Sequence, residues 1–142
     1  MEKNLKKFEF VEHTADVKFK AYGRSLDEVF ENSVFAFSKI TAGKKKIKRA
    51  KKKNLKIKGK GAENLIYNLI NELVYLLDAE NFIASDARIK VSDDLKQLEA
   101  EIYGDSSEKY RGLFHIKSAT YHDIFLKRNK NNLWEAQVVV DV

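Results

Sequence analysis

The stretch DVKFKAYGRSLDEVFENSVFAFSK, residues 16–39, changes its hydrophobic period part-way along, and that change decides the fold class. Over its first half Val17, Phe19 and Ala21 alternate with polar neighbours, the period-2 signature of a strand with one buried face. Gly23 ends the alternation. Ser25 followed three residues later by Glu28 is a capping box, which satisfies the first free N–H groups of a helix. Leu26, Val29, Phe30, Val34 and Phe37 then recur at helical spacing. The pattern predicts a strand feeding directly into a helix from about Leu26 to Lys39, ended before Gly43. Upstream, KFEFVE (residues 7–12) also alternates, with Phe8 and Phe10 on one face. The two strands read as antiparallel neighbours joined through EHTADV, residues 12–17.

Downstream the same two periods mix without regular βαβ order. AENLIYNLINELVYLLDAEN (residues 62–81) carries a wide apolar stripe of Leu65, Ile66, Leu69, Ile70, Leu73, Val74 and Leu77, the strongest helix in the chain. The basic run before it alternates weakly around Ile47, Leu55 and Ile57, which suggests two strands with lysines toward solvent. RIKVSDDLKQLEAEIYG (residues 88–104) reads as a hairpin turning at Asp93 and Asp94. The stretch from Leu113 to Val142 gives two or three more strands, with NKNN (residues 129–132) as a turn. The expected class is α+β: a single domain over residues 1–142, with a largely antiparallel or mixed sheet and two main helices.

Composition narrows the function. The chain has 142 residues, 44% of them hydrophobic, with 9 Phe, which is enough to build a packed core. It has no apolar run of about 18 residues to cross a membrane. Its N-terminus lacks the apolar centre of a signal peptide. With 0 Cys there is no disulfide framework and no thiolate metal site, which suits a reducing cytoplasm. The net charge of +6 is concentrated in GKKKIKRAKKKNLKIKGKG, residues 43–61, while the remainder is mildly acidic. Lys44, Lys45, Lys46, Lys48, Arg49, Lys51, Lys52 and Lys53 are therefore candidates for contact with an anion such as a phosphate chain. No aromatic residue interleaves them, which argues against sequence-specific reading of bases. The alternative is a solvated hairpin kept soluble by its lysines.

Enzyme motifs are missing. There is no phosphate-binding glycine loop, nucleophile elbow, HExxH helix or EF-hand loop. His13, His115 and His122 are far apart in sequence. In HIKSATYH, residues 115–122, strict alternation places His115, Lys117, Ala119 and Tyr121 on one face and Ile116, Ser118, Thr120 and His122 on the other. Polar groups on both faces are unusual for a core strand and hint at a site. At the other extreme AQVVVDV, residues 136–142, is an apolar strand with an acid next to its end. Such an acid is solvated, paired or bound to a cation. If folding joined the ends, Asp16, Asp141 and an oxygen of Val142 would suit a hard divalent ion.

Four pieces together resemble the archease family: residues 8–33, the helix at 64–78, HIKSATYH and the terminal VVVDV. They run over nearly the whole chain in the family's order. HTADV followed by an alternating strand and G-x-S-L-x-E is the most specific of them. The resemblance implies a protein that is not an enzyme itself but an accessory to the RtcB-type tRNA-splicing RNA ligase. It would promote guanylylation of the ligase and its multiple turnover. It also implies a divalent ion (Ca, Mg or Mn) held by Asp16, Asp141 and Val142. His13, Thr14 and His122 would stand behind these ligands, and Lys117 and Thr120 match the late motif. The expected partners are the ligase and, indirectly or weakly, tRNA, in the cytoplasm. The competing reading is an RNA-binding or chaperone-like module acting through the Lys-rich segment 44–58.

Overall fold

Two antiparallel sheets divide the chain in the computed structural model, which describes residues 6–11 and 16–142. The elements run β1 (Phe8–Val11), β2 (Asp16–Gly23), α1 (Leu26–Ala42), β3 (Lys51–Lys58), α2 (Ala62–Glu80), β4 (Phe82–Val91), β5 (Gln97–Ser106), β6 (Ser118–Arg128) and β7 (Trp134–Asp141). One sheet has the order β1-β2-β7-β6 and the other β3-β5-β4. The class is α+β with two helices, as the mixed periods require. No helix among the described residues is long and apolar enough to cross a membrane.

The strand-to-helix switch sits where the sequence puts it. Ser25 Oγ accepts from Glu28 N at 3.1 Å, and Glu28 Oε1 accepts from Arg24 N at 2.6 Å. Such a cap stabilises a helix by about 1 kcal/mol. Gly23 is required by packing: a Cβ there would stand 2.5 Å from Val29 N, so strand and first helical turn touch through bare backbone. α1 continues three residues beyond the expected Lys39. Thr41 Oγ1 bonds back to Phe37 O at 3.1 Å inside the core, and Gly43 at φ 61 returns its N–H to Lys39 O.

One apolar core ties the sheets together. It joins Phe19, Ala136, Val138 and Val140 of the four-stranded sheet to Ile57, Ile89, Leu98 and Ile102 of the other. Both helices contribute, through Phe30, Val34 and Phe37 and through Leu65, Leu69 and Leu73. α1 touches β2 and β4 and so bridges the sheets, while α2 lies mainly along β6. Each helix also covers a sheet edge with polar side chains. Glu31 Oε2 and Asp27 Oδ1 accept from Ile89 N and Val91 N of edge strand β4, both at 2.9 Å. Asn71 Oδ1 accepts from Ala119 N of edge strand β6 at 2.8 Å. These bonds occupy N–H groups that would otherwise template pairing with another chain. Burial beside β4 pushes the Glu31 carboxyl above its ordinary range, against the lowering effect of the Ile89 N–H.

The basic run forms one strand, not two. Only β3 pairs, with β5; residues 45–50 carry no ladder. Ile47 instead sinks into a small second cluster with Ala42 and Ile83, and Lys48 N donates to the Tyr110 hydroxyl at 3.0 Å. The hairpins at 88–104 and around NKNN form as expected.

Candidate functional site

β2 and β7 bring together the two acids that the sequence separates by almost its whole length. Asp16 and Asp141 are direct cross-strand partners, and Ser118 of β6 is the partner of Asp141 on its other side. The three therefore form one row, on the face opposite the core-packed Val17, Val140 and Ala119. Cβ atoms of directly opposed residues lie about 5 Å apart. Like charges in directly opposed positions disfavour each other, the more so the less water lies between them. Both acids are half-buried, and opposed carboxylates are groups that could hold a cation. Val142 follows directly, and Lys117 N donates to Asp141 O at 2.8 Å, which fixes the chain at the row's end.

The rest of this face is charge-balanced. Lys18 Nζ lies 3.5 Å from Asp123 Oδ2, and Lys20 Nζ lies 3.5 Å from Glu135 Oε2. Tyr22 donates to Glu9 at 3.4 Å; burial first, then Glu9 and Glu135, pushes its phenol up to about 12. Asp16 has company beyond these bonds. The oxygens of Asp16, Asp141, Val142 and Ser118 are the hard donor type that a divalent ion takes. Among the described residues no cluster of three or more His, Asp or Glu forms, so the acids of this site are a pair.

β6 is interrupted beside the row. Its register runs from Thr120↔Val139 directly to Phe125↔Gln137, so residues 121–124 bulge out opposite Val138. Asp123 turns the bulge at φ 54, a conformation that Asp tolerates better than most residues. The bulge overturns the strict alternation expected for HIKSATYH. Tyr121 stacks on Tyr67 of α2 at 3.9 Å and hydrogen-bonds Asn64. Asp123 O reaches over the other face to accept from Gln137 Nε2 at 2.7 Å. His122 is exposed, with Nε2 3.3 Å from Asp123 Oδ2. His115 precedes the strand and faces Asp78 at 3.7 Å, outside the acid row. His13 and Thr14 lie outside the described residues. Ser118 entered the sequence reading only as one polar residue of HIKSATYH, and Asp123 was not singled out; an acid inside a strand pattern, where Asp is disfavoured, was the available signal for the bulge.

The eight anion candidates separate into two groups. Arg49 pairs with Asp86 at 3.1 Å and lies over the Tyr103 ring at 4.0 Å. Lys52 pairs with Glu101 at 3.7 Å, and Lys53 with Glu80 at 2.8 Å. Lys44, Lys45, Lys46, Lys48 and Lys51 are exposed, with no carboxylate in ion-pair range among the described residues.

The profile of the Archease protein family (MTH1598/TM1083) matches residues 8–142. Protein archease of Pyrococcus abyssi is 31% identical over 142 residues, covering 97% of this chain and 100% of that one. Protein archease of Sulfurisphaera tokodaii is 33% identical over 140 residues, with the same coverage. The solution structure of protein 1598 of Methanobacterium thermoautotrophicum superposes with a TM-score of 0.76 at 28% identity, over 97% of this chain and 100% of that one. The crystal structure of an archease from Thermotoga maritima shares the fold, with a TM-score of 0.63 at 21% identity over 100% of this chain and 98% of that one.

Proposed function

The chain belongs to the archease family, and from that premise we propose that it is a metal-binding accessory protein of an RtcB-type tRNA-splicing RNA ligase, promoting guanylylation of the ligase and its multiple turnover. The observation that carries the metal-binding part is the direct opposition of Asp16 and Asp141 in adjacent strands. The ligase assignment rests on the family. Asp16, Asp141 and Val142 would hold the ion, with the Ser118 hydroxyl in the same row; when bound, it supplies positive charge for phosphate oxygens. β7 lies between β2 and β6, so each acid is set by a paired strand and not by a loop. Lys18, two residues from Asp16, is held by Asp123, which keeps an ammonium group engaged away from the acid row. The protein's contribution on this reading is a placed charge brought to the ligase's nucleotide pocket.

The test follows ligase–GMP formation with a cognate ligase, GTP and Mn²⁺ or Mg²⁺. Wild-type protein should stimulate it, and Asp16→Ala and Asp141→Ala should each remove most of the stimulation while still folding and binding the ligase. Normal stimulation by both variants would sink the proposal.

A further inference from the structure

A second surface is built where residues 44–48 meet residues 110–117. Phe114 N donates to Thr41 O at 2.8 Å. Lys48 N donates to the Tyr110 hydroxyl, which donates in turn to the buried Asp105 carboxylate at 2.8 Å. Ile47, Tyr110 and Leu113 share one apolar cluster beneath these bonds. The two segments are thus fixed to one another, and what they present is cationic. Lys44, Lys45, Lys46, Lys48, Arg111 and Lys117 are exposed and have no carboxylate in ion-pair range among the described residues. Lys45 Nζ lies 3.7 Å from where a Cβ on Gly112 would stand, so its ammonium lies across the junction. Of the neighbouring acids, Asp78 is engaged with His115, and Asp141 stands beside Lys117, whose N–H its backbone oxygen accepts.

The sequence shows no aromatic among these lysines, but the fold supplies one. Phe114 is 46% exposed at the junction, and Tyr75, one turn before Asp78 on α2, is 53% exposed. Tyr121, the other exposed aromatic of this half of the chain, already stacks on Tyr67. We infer that this junction binds single-stranded nucleic acid, with phosphates along Lys44, Lys45, Lys46 and Arg111 and a base on the Phe114 ring. Backbone charge plus a free ring is the combination that grips unpaired strands. A duplex hides its base faces, and no helix or ribbon stands out here to enter a groove. An acidic protein segment would satisfy the lysines but not the ring.

The test is fluorescence anisotropy with labelled 12-mers of oligo(U) and oligo(dT), and an abasic strand of equal length, over a salt series. Both intact strands should bind, the ratio between them telling RNA from DNA, and the abasic strand should bind more weakly. Lys44, Lys45 and Lys46→Gln together should reduce the log–log salt slope by about 2. Phe114→Ala should weaken binding about 5- to 100-fold without changing that slope. Phe114→Leu, which keeps apolar bulk without the flat ring, should behave like Phe114→Ala and guards against a folding artefact. Lys52→Gln and Lys56→Gln, at lysines of β3 outside the junction and paired with Glu101 and Glu99, should leave affinity within about two-fold, since only lysines that contact phosphates contribute counterion release. No binding at low salt, equal affinity for the abasic strand, or unchanged affinity in both Phe114 variants would overturn the inference. Competition by polyglutamate as effective as that by oligo(U) would overturn it too, and would mark an acidic protein as the partner.

Discussion

The outward faces of the two sheets both balance charge, and they part company at one row. On the three-stranded sheet, Lys56 opposes Glu99, which opposes Lys90, and Glu101 opposes Arg88. Cation and anion alternate across the strands, and the face neutralises itself. On the four-stranded sheet the last row opposes Asp16 to Asp141, like to like. A self-cancelling ladder helps to hold a sheet, by a few tenths of a kcal/mol per pair. A row of one sign does not cancel itself within the sheet. On the proposed reading, the first face is structural and the end row of the second is where an ion would bind.

That contrast can be broken in a graded series. The largest effect tests the frame that holds the ladder. Gly104 of β5 has no room for a side chain, since a Cβ would stand 2.1 Å from the Ile83 carbonyl oxygen. Gly104→Ala should destabilise by about 3 kcal/mol in chemical denaturation, because backbone must move to admit it. Next is the acid row: a divalent ion at a hundred-fold excess over its Kd should stabilise the wild type by about 2.7 kcal/mol. Asp141→Asn should lose this gain and yet be no less stable than wild type without metal, because like-charge repulsion has gone. A metal-free Asp141→Asn clearly less stable than metal-free wild type would contradict the reading. Glu99→Lys inverts the comparison by placing three cations in one row, and should cost about 0.5–1 kcal/mol, shrinking with added salt.

The smallest effect concerns the capped edge of β4. Burial raises the Glu31 pKa in the folded state, so the native protein holds that proton more tightly than the unfolded chain. The Glu31 contribution to stability is therefore greatest below the ordinary value of 4.5 and is lost as pH rises through the raised pKa. Glu31→Gln keeps an oxygen for the Ile89 N–H and removes the titration. Stability followed against pH should thus decline in wild type relative to Glu31→Gln above about pH 4.5. Parallel curves would refute the assignment.

What the residues disclosed depended on how local the cause was. Ser25, Glu28 and the period change around Gly23 are local, so the β2–α1 unit was legible. Asp16 and Asp141 could be named as acids in telling places, but their opposition depends on β7 inserting between β2 and β6, which no spacing encodes. The unpaired course of residues 45–50 was missed because Ile47 alternates like a strand residue while its burial is decided by nearby Ala42 and by Ile83, far away in the chain. The β6 bulge was missed for a related reason: Gln137 and Lys18, both from other strands, hold Asp123 in place.

The central place of β7 has a consequence for how the molecule comes into being. On a ribosome the β1–β2 arm emerges early, but its partner follows only after more than a hundred further residues. Until then β2 and β6 are open edges with no neighbour between them, a state exposed to mispairing. Pairings this distant in sequence also close slowly. The acid row is therefore one of the last things the chain acquires, and on the proposed reading an ion could be held there only once synthesis and folding have both finished.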